Sequence, residues 1–218
     1  MPCGRRNALQ HGHSVFVWSK RLLLHSKDKG SAMQVHELTE AEWERMLDEL
    51  FVKLRIPRWH PTREELEAEL IDYFRKNQPC TFATCGSDGQ PRVSVVDYVN
   101  DGLTLYILSE GGEKFKNLSH NRKVAVGIGT SARTITSVRG ANITGIADVL
   151  TEDQPEFAAA FKLFKPLLDD FEKRTGAPVQ FPPGMVRIIK ITPLKIVYYH
   201  YQRGVARACW EAKNSTEC

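Results

Sequence analysis

CTFATCGSDGQPRVSVVDYVNDGLTLYILSEGGEKFKNLSHNRKVAVGIG, residues 80–129, decides the fold class. CTFATC (80–85) runs into the turn Gly86-Ser87-Asp88-Gly89, and PRVSVVDYV (91–99) returns. Asn100-Asp101-Gly102 then turns the chain into LTLYILS (103–109). Short polar turns between alternating apolar runs mark an antiparallel meander. EKFKNLSHN (113–121) reads as one or two helical turns and KVAVGIG (123–129) as another strand. Connections this brief exclude parallel crossovers, which need a dozen or more residues.

Outward from this stretch the period changes. Upstream, Thr39-Glu40-Ala41-Glu42 and Thr62-Arg63-Glu64-Glu65 are capping boxes, in which a hydroxyl and a carboxylate satisfy free N–H groups reciprocally. Trp43, Met46, Leu47, Leu50 and Leu54 follow helical spacing up to Pro57, and Leu66, Leu70, Tyr73 and Phe74 form a second apolar face that Asn77 and Pro79 stop. Downstream, Ile135–Leu150 reads as one long strand with bends at Gly140 and Gly145. Thr151–Thr175 reads as helical, capped by Asp153, with Pro166 kinking it or starting a second helix. Met185–Tyr201 is a last strand region in which Pro193 demands an edge or bulge position, and the chain past Gly204 reads as a loose tail. The class is mainly β (α+β): a small closed antiparallel barrel of six strands with flanking helices.

The 218 residues are 42% hydrophobic and 26% charged, ordinary for a soluble globular protein, and no apolar run reaches bilayer-spanning length. The net charge of +4 is uneven. Residues 1–33 hold six basic side chains and one acidic, while the rest of the chain is near neutral. A body without a cationic face argues against nucleic acid as a partner, and leaves room for a local anion site. The basic stretch 1–33 resembles a transit peptide in composition, but a disordered tail or a start at Met33 fits it better. Cys3, Cys80, Cys85, Cys209 and Cys218 are an odd set without a repeated spacing, read as reduced thiols of a cytoplasmic protein.

Nucleophile elbows, metal-binding histidine pairs and phosphate loops of the known kinds are absent from the sequence, so no metal is expected. The informative residues lie between Pro91 and Asn121. Adjacent strands can bring Arg92 near Ser109, Gly111 and Gly112 form a flexible loop, and Lys114 and Lys116 open a short helix. A glycine loop entering a helix presents free N–H groups, an arginine forks onto phosphate and a lysine adds a point charge. Spacing alone describes a monophosphate site and a solvated basic helix behind a surface loop equally well.

Gly89–Ile128, with ITGIADVLTED (143–153) and IIKITPLKIVYYHYQRG (188–204), resembles the FMN-binding split-barrel family related to pyridoxamine 5′-phosphate oxidase, over roughly residues 64–204. The resemblance implies a six-stranded split β-barrel, a homodimer, and FMN at the subunit interface. It makes Arg92 and Lys114 the phosphate contacts and Ser109 the hydroxyl at the strand end. It sets Val93, Ser94, Val95 and Val96 along the isoalloxazine, with Lys116 as a helper. Arg139 stands beside the place where the family carries a glutamine that reaches FMN from the partner strand. The loop Glu110–Glu113 is a residue shorter than the family pattern, and Gln202–Cys218 lacks the oxidase's arginine–histidine substrate motif. Oxidation of vitamin B6 is therefore not assigned.

Three readings follow. The first is a flavoprotein, an FMN-dependent oxidoreductase acting on a small-molecule substrate. The second is a non-enzymatic module of the same fold holding FMN or haem, with His120 or His200 as axial ligand. The third is an enzyme using a deazaflavin, whose phosphate would meet the same basic loop. The expected organisation is a basic arm (1–33), an N-terminal helix (34–60), the FMN-binding domain (61–204) and a tail (205–218), without nucleic acid or membrane as partner.

Overall fold

The computed structural model describes residues 21–23 and 35–213, and the chain divides after Leu50 into two compact units. In the first, β1 (Arg21–Leu23) pairs antiparallel with β2 (Val35–Glu37). Residues 21–23, expected in a structureless arm, are thus a strand, and the rest of that arm lies outside the described residues. Helix α1 (Glu40–Leu54) opens on the expected capping box, with the Glu42 N–H donating to Thr39 Oγ1 and the Thr39 N–H to Glu42 Oε2.

The second unit begins at Phe51, in the last turn of α1, and its first whole helix is α2 (Arg63–Lys76), whose Thr62–Glu65 capping box is also formed. Its strands are β3 (Cys80–Cys85), β4 (Pro91–Val96), β5 (Val99–Asp101), β6 (Thr104–Ser109), β7 (Lys123–Gly129), β8 (Arg139–Leu150), β9 (Arg187–His200) and β10 (Val205–Glu211). Helices α3 (Glu113–His120), α4 (Pro155–Lys162) and α5 (Lys165–Thr175) lie between them. All pairings are antiparallel, in the order β4-β3-β7-β8-β9-β6-β5. On one flank β9 pairs with β8 throughout. On the other it pairs with β6 through Arg187–Ile191 and with β10 through Lys195–His200.

Alternation along the strands sorts the side chains onto two faces. Phe82, Val126, Ile143, Ile191 and Ile196 point inward, where Leu70, Tyr73 and Phe74 of α2 and Phe115 and Leu118 of α3 meet them. Each fully buried side chain of this size contributes roughly 1.5–3 kcal/mol. A second cluster sets Phe157, Ala160 and Phe164 against Tyr106 and Ile188. The result is the expected antiparallel half-barrel with flanking helices, but its sheet holds eight strands rather than six.

Two local causes raise the count. Tyr98 leaves the ladder between β4 and β5 and is fully buried. Its hydroxyl donates to Phe74 O at 2.8 Å and Asn77 O at 2.6 Å, satisfying carbonyls at the C-terminal end of α2. The single strand read over 91–99 is therefore two. The tail past Gly204 is not loose. Gly204, at φ 75°, turns the chain into β10, where Val205 is buried and Trp210 Nε1 donates to Glu67 Oε1 at 2.5 Å.

Smaller differences have local reasons as well. Residues 135–137 form a 3₁₀ turn closed by Thr134 and Ser137, so β8 begins only at Arg139. Gln154, not Asp153, occupies the cap position of α4, and its side chain accepts the Thr151 N–H. Pro193 sits at a bulge: Thr144 pairs with Lys195 and Gly145 with Pro193, leaving Leu194 as the extra residue.

Removing the Tyr98 hydroxyl strands those carbonyls in the core. Tyr98→Phe is expected to lower stability by about 1–3 kcal/mol in denaturant unfolding, and an unchanged midpoint would show that the strand break has another cause.

Candidate functional site

Three cationic side chains meet at the end of the sheet where α3 enters. Ser109 closes β6 and pairs in register with Arg187, the first residue of β9. Between β6 and α3, Gly112 adopts φ 105°, a conformation that favours glycine, and leaves α3 without a side-chain cap. Lys114, in the first turn, donates to Gly111 O at 2.6 Å. The Arg187 guanidinium lies 3.8 Å from the centre of the Phe115 ring, and Lys114 Nζ lies 5.4 Å from the same centre. Asn117 Nδ2 donates to Thr84 Oγ1 at 2.9 Å, and Thr84 is the register partner of Arg92 on β4.

β4 and β6 are not ladder neighbours, so the expectation that adjacent strands bring Arg92 to Ser109 is corrected. Helix α3 makes the connection, tied to β3 through Asn117 and to the end of β6 through its loop. Partial burial, and then the guanidiniums of Arg92 and Arg187, hold the Lys114 ammonium below the ordinary lysine value, against the pull of Glu110. Ser109 is buried, and among the described residues its hydroxyl reaches only Gly111 O, at 3.4 Å. Clustered cations beside a buried hydroxyl and an uncapped helix start suit a phosphate or similar anion. Lys116 points elsewhere: it bonds Glu113 Oε1 at 2.7 Å and is largely exposed.

Residues 93–96 do not share one surface. Val93 and Val95 are 63% and 69% exposed on the outer face of β4, while Ser94 and Val96 alternate to the half-buried side. Among the described residues β4 has no partner on its far edge, so alternate backbone groups there are open.

A family model described as pyridoxamine 5′-phosphate oxidase matches residues 66–200, well over half of the chain. The chain belongs to the pyridoxamine 5′-phosphate oxidase family. A conserved hypothetical protein of Mycobacterium tuberculosis superposes with a TM-score of 0.50 at 20% identity, over 63% of this chain and 86% of that one. A heme binding protein of Mycobacterium smegmatis does so with a TM-score of 0.51 at 18% identity, over 70% of this chain and 59% of that one. These two likenesses concern the fold. No curated protein matches the chain.

Within this pyridoxamine 5′-phosphate oxidase-family fold, Arg139 lies apart from the cationic end. It begins β8, opposite His200 at the end of β9, whereas Arg187 stands at the start of β9. Its guanidinium donates to Glu69 Oε1 at 3.1 Å and to Tyr198 Oη at 2.8 Å, and stacks over Tyr73. Glu69 also accepts Arg203 at 2.6 Å and lies 3.3 Å from His200 Nδ1. Burial pushes the Glu69 carboxyl up, but Tyr198, Arg203, His200 and Arg139 together hold it below its ordinary value. Burial and then Arg139 hold the His200 imidazole low. One chain therefore does not bring Arg139 to Arg92 and Lys114. His120 is exposed at the end of α3. Among the described residues no cluster of three His, Cys, Asp or Glu side chains could hold a metal ion.

Sequence reasoning missed Arg187, Asn117 and Thr84. Arg187 is one of several arginines at a strand start, and only the β6–β9 register marks it by setting it opposite Ser109. The cationic cluster generates a direct test. Inorganic phosphate at tenfold its dissociation constant is expected to stabilise the protein by about 1.4 kcal/mol, seen as a raised Tm against chloride of equal ionic strength. Lys114→Met should abolish that gain, and an equal gain in the variant would place the anion elsewhere.

Proposed function

We propose that the protein binds FMN as a homodimer and acts as an FMN-dependent oxidoreductase on a small molecule. The observation that carries this reading is the convergence of Arg92, Ser109 and Lys114, joined by Arg187, where α3 enters the sheet. Family membership adds weight. In this reading Arg92 forks onto the 5′-phosphate, Lys114 adds a point charge and the Ser109 hydroxyl donates. The open backbone edge of β4 meets the polar edge of the isoalloxazine, and Val93 and Val95 supply apolar surface. Bound FMN would supply hydride and electron transfer, which the protein need only position and tune. Lys116 drops out of the set, because it is paired to Glu113 on the surface.

The homodimer is proposed on the same face. An edge strand with an open backbone and two exposed valines needs cover, and a two-fold partner provides it self-complementarily. Arg139 would reach FMN only from such a partner, and only by loosening its bonds to Glu69. A deazaflavin would meet the same cations through its own phosphate. Haem would need His120, exposed at the end of α3, or His200, whose Nδ1 lies against Glu69 and Tyr198. The absorption spectrum of the loaded protein separates flavin bands from a haem Soret band.

Each charge-assisted contact to the phosphate is worth roughly 1.5–3 kcal/mol, and about 1.4 kcal/mol is tenfold in affinity. Lys114→Ala is therefore expected to weaken FMN by about ten- to a hundredfold in fluorescence titration, with riboflavin little changed and the loaded wild type sedimenting as a dimer. Equal losses for both flavins would show that Lys114 does not read the phosphate.

A further inference from the structure

The outer face of the sheet carries a second concavity, of about 560 Å³, lined by Thr81, Val95, Gly127, Gly129, Asn142 and Tyr199 among others. Its floor is backbone. A Cβ at Gly127 would come within 2.7 Å of Thr81 Oγ1, so a side chain there would have to displace that hydroxyl from its bond to Gly127 O. Gly129 pairs in register with Gly140, and a Cβ on Gly140 would fall 2.5 Å from the Tyr199 hydroxyl. The Tyr199 ring thus lies flat over a stretch of sheet kept bare by glycine. Tyr199 is half-buried, and its hydroxyl has no hydrogen-bond partner among the described residues, which leaves it open to a ligand. The Asn142 amide, also without a partner among the described residues, projects from the same face two residues from Gly140.

The second observation is electrostatic. Not one of the lining residues carries a charge. The contrast with the end that gathers Arg92, Lys114 and Arg187 is complete. Yet Val95, at the rim, stands on β4 three residues from Arg92, so the two sites share one strand. A cofactor held by its phosphate at Arg92 and running along β4 would bring its ring system toward this concavity.

We propose that this concavity is the substrate subsite and that it takes an uncharged planar ring bearing a carbonyl or amide, stacked on the glycine floor and hydrogen-bonded by the Tyr199 hydroxyl and the Asn142 amide. The inference rests on the FMN reading above for the word substrate, while the ring-binding site itself stands on the geometry of β7, β8 and β9. An anionic substituent finds no cation here, and burying an unpaired charge costs far more than burying an amide that keeps its hydrogen bonds. The site therefore selects by neutrality as well as by shape. A second copy on the outer face would close its open side.

Nicotinamide and nicotinate test this directly, being the same ring with a neutral amide or a carboxylate. Binding is read by saturation-transfer NMR and by displacement, on the full chain with and without FMN. Nicotinamide is expected to bind at least tenfold more tightly than nicotinate. Tyr199→Phe keeps the ring and loses the hydroxyl, and is expected to weaken nicotinamide about three- to tenfold while leaving FMN affinity unchanged. Gly129→Val is the steric control: a Cβ at Gly129 meets nothing within 4 Å, so the strand accommodates it while the valine fills the floor. Gly129→Val should abolish nicotinamide binding with the Tm preserved. Nicotinamide bound through Tyr199 by a protein that takes up no FMN would uphold the ring site and overturn the flavin reading. FMN uptake with nicotinamide unbound, bound no better than nicotinate, or indifferent to both variants would overturn the ring site and leave the flavin reading intact.

Discussion

Strand β9 is paired along both edges, and both candidate functional surfaces hang from it. Its whole length faces β8, its first half also faces β6, and its second half faces β10. That double ladder sets Arg187 opposite Ser109 at one end and Tyr199 opposite Gly140 at the other. A slip of one residue would exchange the faces of every side chain on the strand, moving Arg187 off Phe115 and Tyr199 off the glycine floor. The bulge at Leu194 absorbs the one mismatch and gives Pro193, which cannot donate to the ladder, a place where no donor is required.

The two ends answer to different electrostatics. Around Lys114, partial burial and then the like charges of Arg92 and Arg187 lower the proton affinity of the ammonium. Such a cluster raises the free energy of the empty protein, and a bound dianion would relieve it, so part of the proposed binding free energy would come from removing repulsion. Around Glu69 the order is reversed: one carboxylate satisfies Arg139, Arg203, Tyr198 and His200, and the network closes on itself. A satisfied, partly buried network of this kind holds structure, and it accounts for an arginine placed by analogy among the cofactor residues serving α2 within one chain. The glycine-floored concavity is neutral, and its open hydrogen-bonding groups belong to side chains that the ladder has fixed.

Much of this was legible in the chain itself. CTFATC and KVAVGIG are strands at the residues where their alternation begins and ends, and both threonine capping boxes form. These features are local, and local periodicity reports them. What escaped was set by distant partners. Tyr98 reads as one more apolar strand residue until its hydroxyl meets the end of α2. Residues past Gly204 carry a polar alternation typical of a surface segment, yet they complete the flank of β9. Arg187 has no local signature, because its role follows from the register with β6. Spacing and resemblance together single out Arg92 and Lys114 as candidates, but the route by which α3 brings them near each other was not legible.

The most direct test of the account uses the residue that only the structure reveals. Arg187→Met keeps a long apolar stem against Phe115 and removes the charge. If the paired ends of β6 and β9 build a phosphate site, FMN affinity measured by calorimetry should fall about tenfold or more, and riboflavin affinity should stay within about twofold. An FMN affinity unchanged by the substitution would contradict the central claim that β9 register assembles the anion site.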